Sequence, residues 1–328
     1  MKIRWGVLST ARIGVAKVIP AIQQSNLGVV TAIASRSVVK ARETAGKLGI
    51  PKAYGSYEEL LRDPDVDAIY NPLPNHLHVS WSLKALEAGK HVLCEKPVAM
   101  DAEEGRMLLE ASGRFPHLKI MEAFMYRFHP QWIKAKSLVD EARIGQLKTV
   151  HSFFSYHNAD PGNIRNIADI GGGGLMDIGC YCISLSRYLF GSEPVRVSGQ
   201  IERDTILGTD ILTSAMLDFS AGTATFTCAT QLIPYQRVNI FGTTGRIEIE
   251  IPFNAPPDKT TRLWLQDGSG MEEFLFDPCD QYTLQADAFA KAVIEQAPVP
   301  TGLDDAVANM KVIDSVFKSA ETHAWVNP

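Results

Sequence analysis

Along the first third of the chain, apolar and polar positions alternate between two rhythms. Short apolar runs at residues 3–8, 29–34, 68–71, 91–94 and 119–123 read as buried strands, and helical spacings at 14–24, 39–48, 57–61, 76–88 and 101–111 separate them. Strands joined through helices need right-handed crossovers, which give a parallel sheet covered on both faces. The pattern predicts a doubly wound α/β domain.

From about residue 147 strands follow one another through short turns. Residues 246–251 (Arg-Ile-Glu-Ile-Glu-Ile) alternate strictly, and 223–228 (Thr-Ala-Thr-Phe-Thr-Cys) alternate small polar with apolar. Gly242-Thr-Thr-Gly245 and Asp267-Gly-Ser-Gly270 read as hairpin turns. A period of two buries one face of a sheet and leaves the other polar. The expectation is an α+β domain with a large, open, mostly antiparallel sheet, covered by helices at 177–189, 282–295 and 304–321. The domains predicted are 1–125 and 126–328, and the last helix can pack back on the first domain.

Composition removes alternatives. With 45% hydrophobic and 21% charged residues the chain is neither disordered nor fibrous, and 328 residues suit two cores better than one. The net charge of -5 has no long run of either sign, which argues against a nucleic-acid groove or a membrane-surface patch and makes a small molecule the expected partner. Cys94, Cys180, Cys182, Cys228 and Cys279 have no metal-type spacing, so reduced thiols, no metal and a cytoplasmic setting are expected.

The first strand runs into Ser9-Thr10-Ala11-Arg12-Ile13-Gly14 and then a helix, the place where a dinucleotide pyrophosphate meets helix N-terminal N–H groups. Aligned to G-x-G-x-x-G, Ser9 and Ala11 replace two of three glycines, and a turn without ligand reads equally well. The second strand ends in Ser35-Arg36-Ser37 with Lys40 beyond and no carboxylate before Glu43. A guanidinium with two hydroxyls suits a ribose 2′-phosphate, whereas an acidic residue would suit a free 2′-hydroxyl, so NADP is favoured over NAD.

Later segments carry the chemistry. Asn71-Pro72-Leu73-Pro74-Asn75-His76-Leu77-His78 is a proline-stiffened loop at a strand's C-terminal end, where open parallel sheets bind ligands. His76-x-His78 has no acidic or cysteine neighbour for a metal, and reads as a helix-capping or cofactor-lining pair. Cys94-Glu95-Lys96-Pro97 ends the next strand, and Lys96 is either a solvated charge or a cation aimed into a cleft. Gly171-Gly-Gly-Gly174-Leu-Met-Asp177-Ile-Gly-Cys-Tyr181 places Asp177 and Tyr181 on one helical face, with glycines that leave room for a ligand; a packed tyrosine beside a surface aspartate is the alternative.

Taken in order, the Ser9 to Gly14 turn, Pro72-Leu-Pro-Asn-His-Leu-His78, Glu95-Lys96-Pro97, Met125-Tyr-Arg127-Phe-His129-Pro130 and Gly172-Gly-Gly-Leu-Met-Asp177-Ile-Gly-Cys-Tyr181 resemble the Gfo/Idh/MocA oxidoreductase family. The resemblance reaches from the first strand to the mid-chain helix; beyond it only the pattern of elements matches. Ser35-Arg36-Ser37 and the Gly-Cys-Tyr ending are similar to NADP-dependent sugar dehydrogenases, such as D-xylose 1-dehydrogenase, and to dimeric dihydrodiol dehydrogenases.

The resemblance implies a Rossmann domain, NADP as cofactor, and a homodimer or tetramer. It implies cofactor contacts from Ser9, Thr10, Ala11, Arg12, Ile13, Ser35, Arg36, Ser37, Lys40, Asn71, Pro72, Leu73, Asn75, His78, Glu95, Lys96, Arg127 and Arg165, and catalytic roles for Lys96, Tyr181 and Asp177. A phenol near pKa about 10 needs a neighbouring cation to act as a base near neutrality, and Lys96 can supply it. The reaction implied is hydride transfer at a sugar or cyclic polyol carbon, most simply aldose 1-dehydrogenation of a D-xylose-like sugar. Oxidation of a trans-dihydrodiol, reduction of an anhydroketose, and a non-enzymatic NADP-sensing regulator remain as alternatives.

Overall fold

The computed structural model describes residues 2–328. Contacts divide the chain into two units, Met1–Met125 with Gln281–Val307 and Tyr126–Asp280 with Ala308–Pro328.

The first unit contains a six-stranded sheet of β1 (Ile3–Leu8), β2 (Gly28–Ala34), β3 (Lys52–Tyr54), β4 (Ala68–Asn71), β5 (His91–Cys94) and β6 (Ile120–Glu122), in the order β3-β2-β1-β4-β5-β6. Every pairing is parallel. The order reverses between β1 and β4, so the loops after these strands diverge and open a crevice at their C-terminal ends. All of β4 is buried, as is all of β1 except Arg4, which is why these runs show no alternation.

The helices of this unit are α1 (Ile19–Gln24), α2 (Val38–Leu48), α3 (Tyr57–Leu61), α4 (His78–Glu87), α5 (Ala102–Ser112) and α8 (Gln281–Ile294). Ser37 caps α2, its hydroxyl accepting from Lys40 N–H at 3.4 Å, and Asp101 caps α5 by accepting from Glu104 N–H at 2.7 Å. The short edge strand β3 is half-buried throughout and has no apolar period to betray it.

The second unit is built on an eight-stranded sheet of β7 (Leu147–His157), β8 (Arg196–Arg203), β9 (Asp210–Phe219), β10 (Gly222–Ala229), β11 (Gln231–Gly242), β12 (Gly245–Ile249), β13 (Thr261–Asp267) and β14 (Gly270–Phe276). The order is β14-β13-β12-β11-β7-β10-β9-β8, antiparallel except for the β7–β10 pair. Both expected turns are present, 242–245 joining β11 to β12 and 267–270 joining β13 to β14. One face carries Val150, Phe154, Phe226, Val238 and Ile240 into the core. The unit's helices include α6 (Pro130–Asp140) and α7 (Cys180–Phe190), and α7 covers this face with Phe190 stacked on Phe219 at 4.3 Å. The other face, with His151, Thr225, Thr227 and Asn239, lines an open hollow of about 850 Å³.

The structure redistributes the C-terminal helices. Residues 281–307, expected in the second domain, belong to the first unit. There α8 packs on α1, with Phe289 at 5.3 Å from Trp5 and the Thr283 hydroxyl donating to the Ala21 carbonyl at 3.0 Å. The last helix, α9 (Leu303–Thr322), was expected to pack back; beyond residue 307 it belongs to the second unit, where Gly199 N–H of β8 donates to the Ser319 hydroxyl at 3.0 Å. The sequence signal for α8 is its small, amphipathic face, which does not say which core it covers. Among the described residues no helix is long and apolar enough to cross a membrane.

Candidate active site

The turn after β1 is tight. Ser9 adopts a positive φ of 76°, its N–H donates to the Ala34 carbonyl at 2.9 Å, and its hydroxyl accepts from Ala11 N–H at 3.2 Å. A positive φ is the backbone that favours the glycine of the dinucleotide motif, and Ser9 adopts it with its hydroxyl on the Ala11 N–H. The helix then opens through a π turn, Gly14–Val18, before α1. Thr10, Arg12 and Lys40, with Glu43, Thr44 and Lys47, line a groove of about 370 Å³. Three cations against one carboxylate make it a phosphate-attracting surface, and this donor set fits a dinucleotide carrying an extra phosphate.

At the end of β2, the Ser35 hydroxyl accepts from Ser37 N–H at 3.3 Å and fixes the turn into α2. Arg36 is exposed beside the Tyr57 hydroxyl, where its charge opposes the upward push that burial gives that phenol. The Arg36 guanidinium is not part of the groove's lining.

The loops after β4 and β5 are locked to each other by buried polar groups. Asn71 donates to the His78 carbonyl at 3.1 Å and to the Ser82 hydroxyl at 3.2 Å, while its own carbonyl accepts from Glu95 N–H at 3.0 Å. His78 is buried, with Nδ1 2.8 Å from the Pro97 carbonyl and Nε2 2.7 Å from the Leu73 carbonyl. Burial, reinforced by the charge of Lys96, holds its pKa down to about 4 against those two carbonyls, so the ring is neutral. The side-chain hydrogen bonds of Asn71 and His78, both expected at the cofactor, turn inward and brace the loops. Glu95 accepts from the Tyr70 hydroxyl at 2.6 Å, Lys96 is half-buried, and the Lys96–Pro97 bond is cis. Val98 N–H donates at 2.8 Å to Glu122, a buried carboxylate, which pins the far side of the same loop.

In the second unit the helix bearing Tyr181 also opens through a π turn, Leu175–Gly179. Tyr181 is 6% exposed in an aromatic cage, its ring 5.8 Å from Tyr126, 5.9 Å from Phe154 and 5.5 Å from Phe253. Asp177, one turn earlier, accepts on Oδ2 from the Tyr156 hydroxyl at 2.6 Å and from Arg165 Nε at 3.0 Å. Arg127 donates to the Ser184 hydroxyl at 2.8 Å and lies 5.3 Å from the Tyr188 ring, so it anchors the 125–128 turn to α7.

The glycine cluster does not leave the space the sequence suggested. A Cβ on Gly172 would lie 2.6 Å from the Ile167 carbonyl oxygen, and one on Gly173, at φ 125°, would lie 1.9 Å from Asp210 Oδ1. The room is filled by protein. Gly173 N–H donates to the Arg165 carbonyl at 2.8 Å, and Asp210 accepts from Leu175 N–H at 2.6 Å and from the Thr213 hydroxyl at 3.1 Å. The cluster is an elbow that seats Arg165 against the start of the helix bearing Tyr181, with a buried carboxylate as its peg.

The structure thus gathers Thr10, Arg12 and Lys40 on one groove and Arg165 with Asp177 in one ion pair. Lys96 belongs to the first unit and Tyr181 and Asp177 to the second. Sequence reading missed Tyr156, Phe253 and Asp210. Tyr156 had a signal, since it lies two residues past Phe154 on one face of a strand; Phe253 sits in a loop and Asp210 at a strand start, with no motif around either.

Residues 3–114 match the oxidoreductase family with NAD-binding Rossmann fold, and residues 132–248 match the GFO/IDH/MocA C-terminal domain. The chain is 43% identical to an uncharacterized oxidoreductase of Rhizobium meliloti, over 98% of each chain. It is 40% identical to a D-xylose 1-dehydrogenase (NADP(+)) of Haloferax volcanii, again over 98% of each. A 3-ketoreductase from Actinomadura kijaniata, solved in complex with NADP and TDP-benzene, superposes with a TM-score of 0.91 at 30% identity, over 97% of this chain and 98% of that one. With ordered motifs, both domain matches and near full-length relatives in agreement, the chain belongs to the Gfo/Idh/MocA family of oxidoreductases.

Proposed function

We propose that this protein is an NADP-dependent dehydrogenase or reductase acting on a CH–OH carbon of a sugar or cyclic polyol, with 1-dehydrogenation of a D-xylose-like aldose as its favoured reaction. The observation that carries the reading is the seating of Tyr181 in an aromatic cage one turn after an aspartate gripped by two donors. A phenol buried among aromatic rings beside an oriented carboxylate is suited to moving a proton at a defined oxygen.

NADP, when bound, supplies the acceptor for the hydride. Its pyrophosphate fits the 9–14 turn with Arg12, and its ribose phosphate fits Ser35, Arg36, Ser37 and Lys40. On the protein side, Tyr181 Oη takes the proton from the substrate hydroxyl as the carbon's hydrogen leaves with its electron pair. Lys96 Nζ holds the same substrate oxygen and stabilises the negative charge that develops on it. Asp177 accepts hydrogen bonds from neighbouring hydroxyls. The loops braced by Asn71, His78 and Glu122 keep Lys96 in place. The reading includes a homodimer or tetramer formed through the open sheet face, and a cytoplasmic setting, supported by five cysteines that form no disulfide with one another.

The test is a panel of aldoses, deoxysugars, inositols, dihydrodiols and anhydroketoses assayed with NADP(H) and NAD(H) in parallel. Turnover of an aldose with NADP preferred is the expected result. Preference for NAD overturns the cofactor assignment, and NADPH binding without turnover of any substrate points to a regulator.

A further inference from the structure

The partners of Asp177 come from two kinds of element. Arg165 reaches it from a short 3-10 turn, Ile164–Asn166, and its side chain is 41% exposed. Tyr156 reaches it from β7, a central strand paired on both sides, and its neighbour Ser155 is tied to the Ile233 carbonyl at 2.6 Å. One donor is on a rigid support and the other is at the surface.

The support has a register. Phe154 and Tyr156 lie two residues apart on one face of β7, a span of about 6.6 Å, and a helical turn advances about 5.4 Å. Strand and helix therefore meet twice: Phe154 packs 5.9 Å from the Tyr181 ring, and the Tyr156 hydroxyl donates to Asp177 at 2.6 Å. The strand holds both proposed reacting side chains at once. Burial and the Asp177 charge push the Tyr156 phenol well above its ordinary pKa, so it remains a proton donor to the carboxylate and does not compete with Tyr181 as a base.

We infer that Tyr156 is a positioning residue of the reaction, holding the Asp177 carboxylate as the acceptor for a substrate hydroxyl. The inference rests on the proposed function, and nothing in the motifs of the family region singles out residue 156. A tyrosine that used Asp177 merely to satisfy its own hydroxyl would matter to folding and not to turnover, and a double-mutant cycle separates the two.

The experiment compares wild type, Tyr156→Phe, Asp177→Asn and the double variant, reading kcat and KM for the best sugar of the panel, NADPH affinity and thermal midpoint. Tyr156→Phe is expected to lower kcat/KM about ten- to a hundredfold, the worth of a hydrogen bond to a charged group. NADPH affinity stays within about twofold, since the cofactor residues are untouched. In the Asp177→Asn background the same change costs less than about threefold. Tyr156→His, which keeps an N–H donor, recovers part of the loss and serves as the second variant should the phenylalanine variant not fold. Equal cost in both backgrounds, or full activity of Tyr156→Phe in an active enzyme, overturns this inference alone. A wild type that turns over no member of the panel overturns the proposed function and this inference with it.

Discussion

Two runs of small residues lead into helices through π turns, Ser9 to Gly14 before α1 and Gly171 to Gly174 before α7, and they do opposite things with the space they leave. In the first, a Cβ added at Gly14 would meet nothing nearer than 3.5 Å, and the adjoining Thr10 and Arg12 line an open groove. In the second, the Cβ positions of Gly172 and Gly173 are occupied by backbone carbonyls and by Asp210. A small-residue run before a helix is a ligand cradle only when nothing of the protein already fills it. The second run serves the site indirectly, by holding Arg165 beside Asp177.

The largest expected effect tests that contrast directly. Gly173→Ala combines a forbidden φ with a clash on a buried carboxylate and is expected to cost at least about 3 kcal/mol, seen as lost soluble protein or a collapsed thermal midpoint. Gly14→Ala makes only ordinary contacts and is expected to stay within about 1 kcal/mol of wild type. Equal effects at the two positions would erase the difference between the runs.

The next effect concerns the bracing of the first unit's loops. His78 has a pKa of about 4 in the fold against 6.5 for a free histidine, so between those values it is neutral when folded and charged when unfolded. Stability is therefore complete above about pH 6.5 and falls as pH drops towards 4, by up to about 3 kcal/mol from this group. Unfolding midpoints measured across that window should decline less steeply in His78→Gln. An unchanged slope would show that the ring does not brace the loops while neutral.

Much of this was legible before the structure. Crossover rhythm marks the parallel sheet because its strands are buried on both faces, and strict alternation marks β12 because one face is covered. The motifs of the proposed site stand out where the proposed chemistry demands a residue type, as at Lys96, Asp177 and Tyr181. What was not legible depends on long-range packing. The peg role of Asp210 arises 35 residues from Leu175, and α8 joins the first unit although 155 residues separate Met125 from Gln281. In its loop His78 reads as a helix-capping or cofactor-lining residue, and its role as a brace depends on the distant Pro97 carbonyl.

Two smaller effects sharpen the functional side of the comparison. Lys96→Ala is expected to lower kcat by at least about 100-fold, the lower range for general acid–base and charge-stabilising groups, with NADPH affinity changed by less than about threefold. Arg36→Ala with Lys40→Ala should raise KM for NADP about tenfold and leave KM for NAD unchanged, since only the 2′-phosphate distinguishes the two. A parallel rise for both cofactors would place these cations elsewhere than at the extra phosphate.

The most direct test of the account is turnover of the best aldose with NADP by Tyr181→Phe, measured beside NADPH binding by fluorescence. A loss of at least about 100-fold in kcat with cofactor affinity retained is the predicted result. Turnover near that of wild type, with cofactor bound, would contradict it and remove Tyr181 from the chemistry.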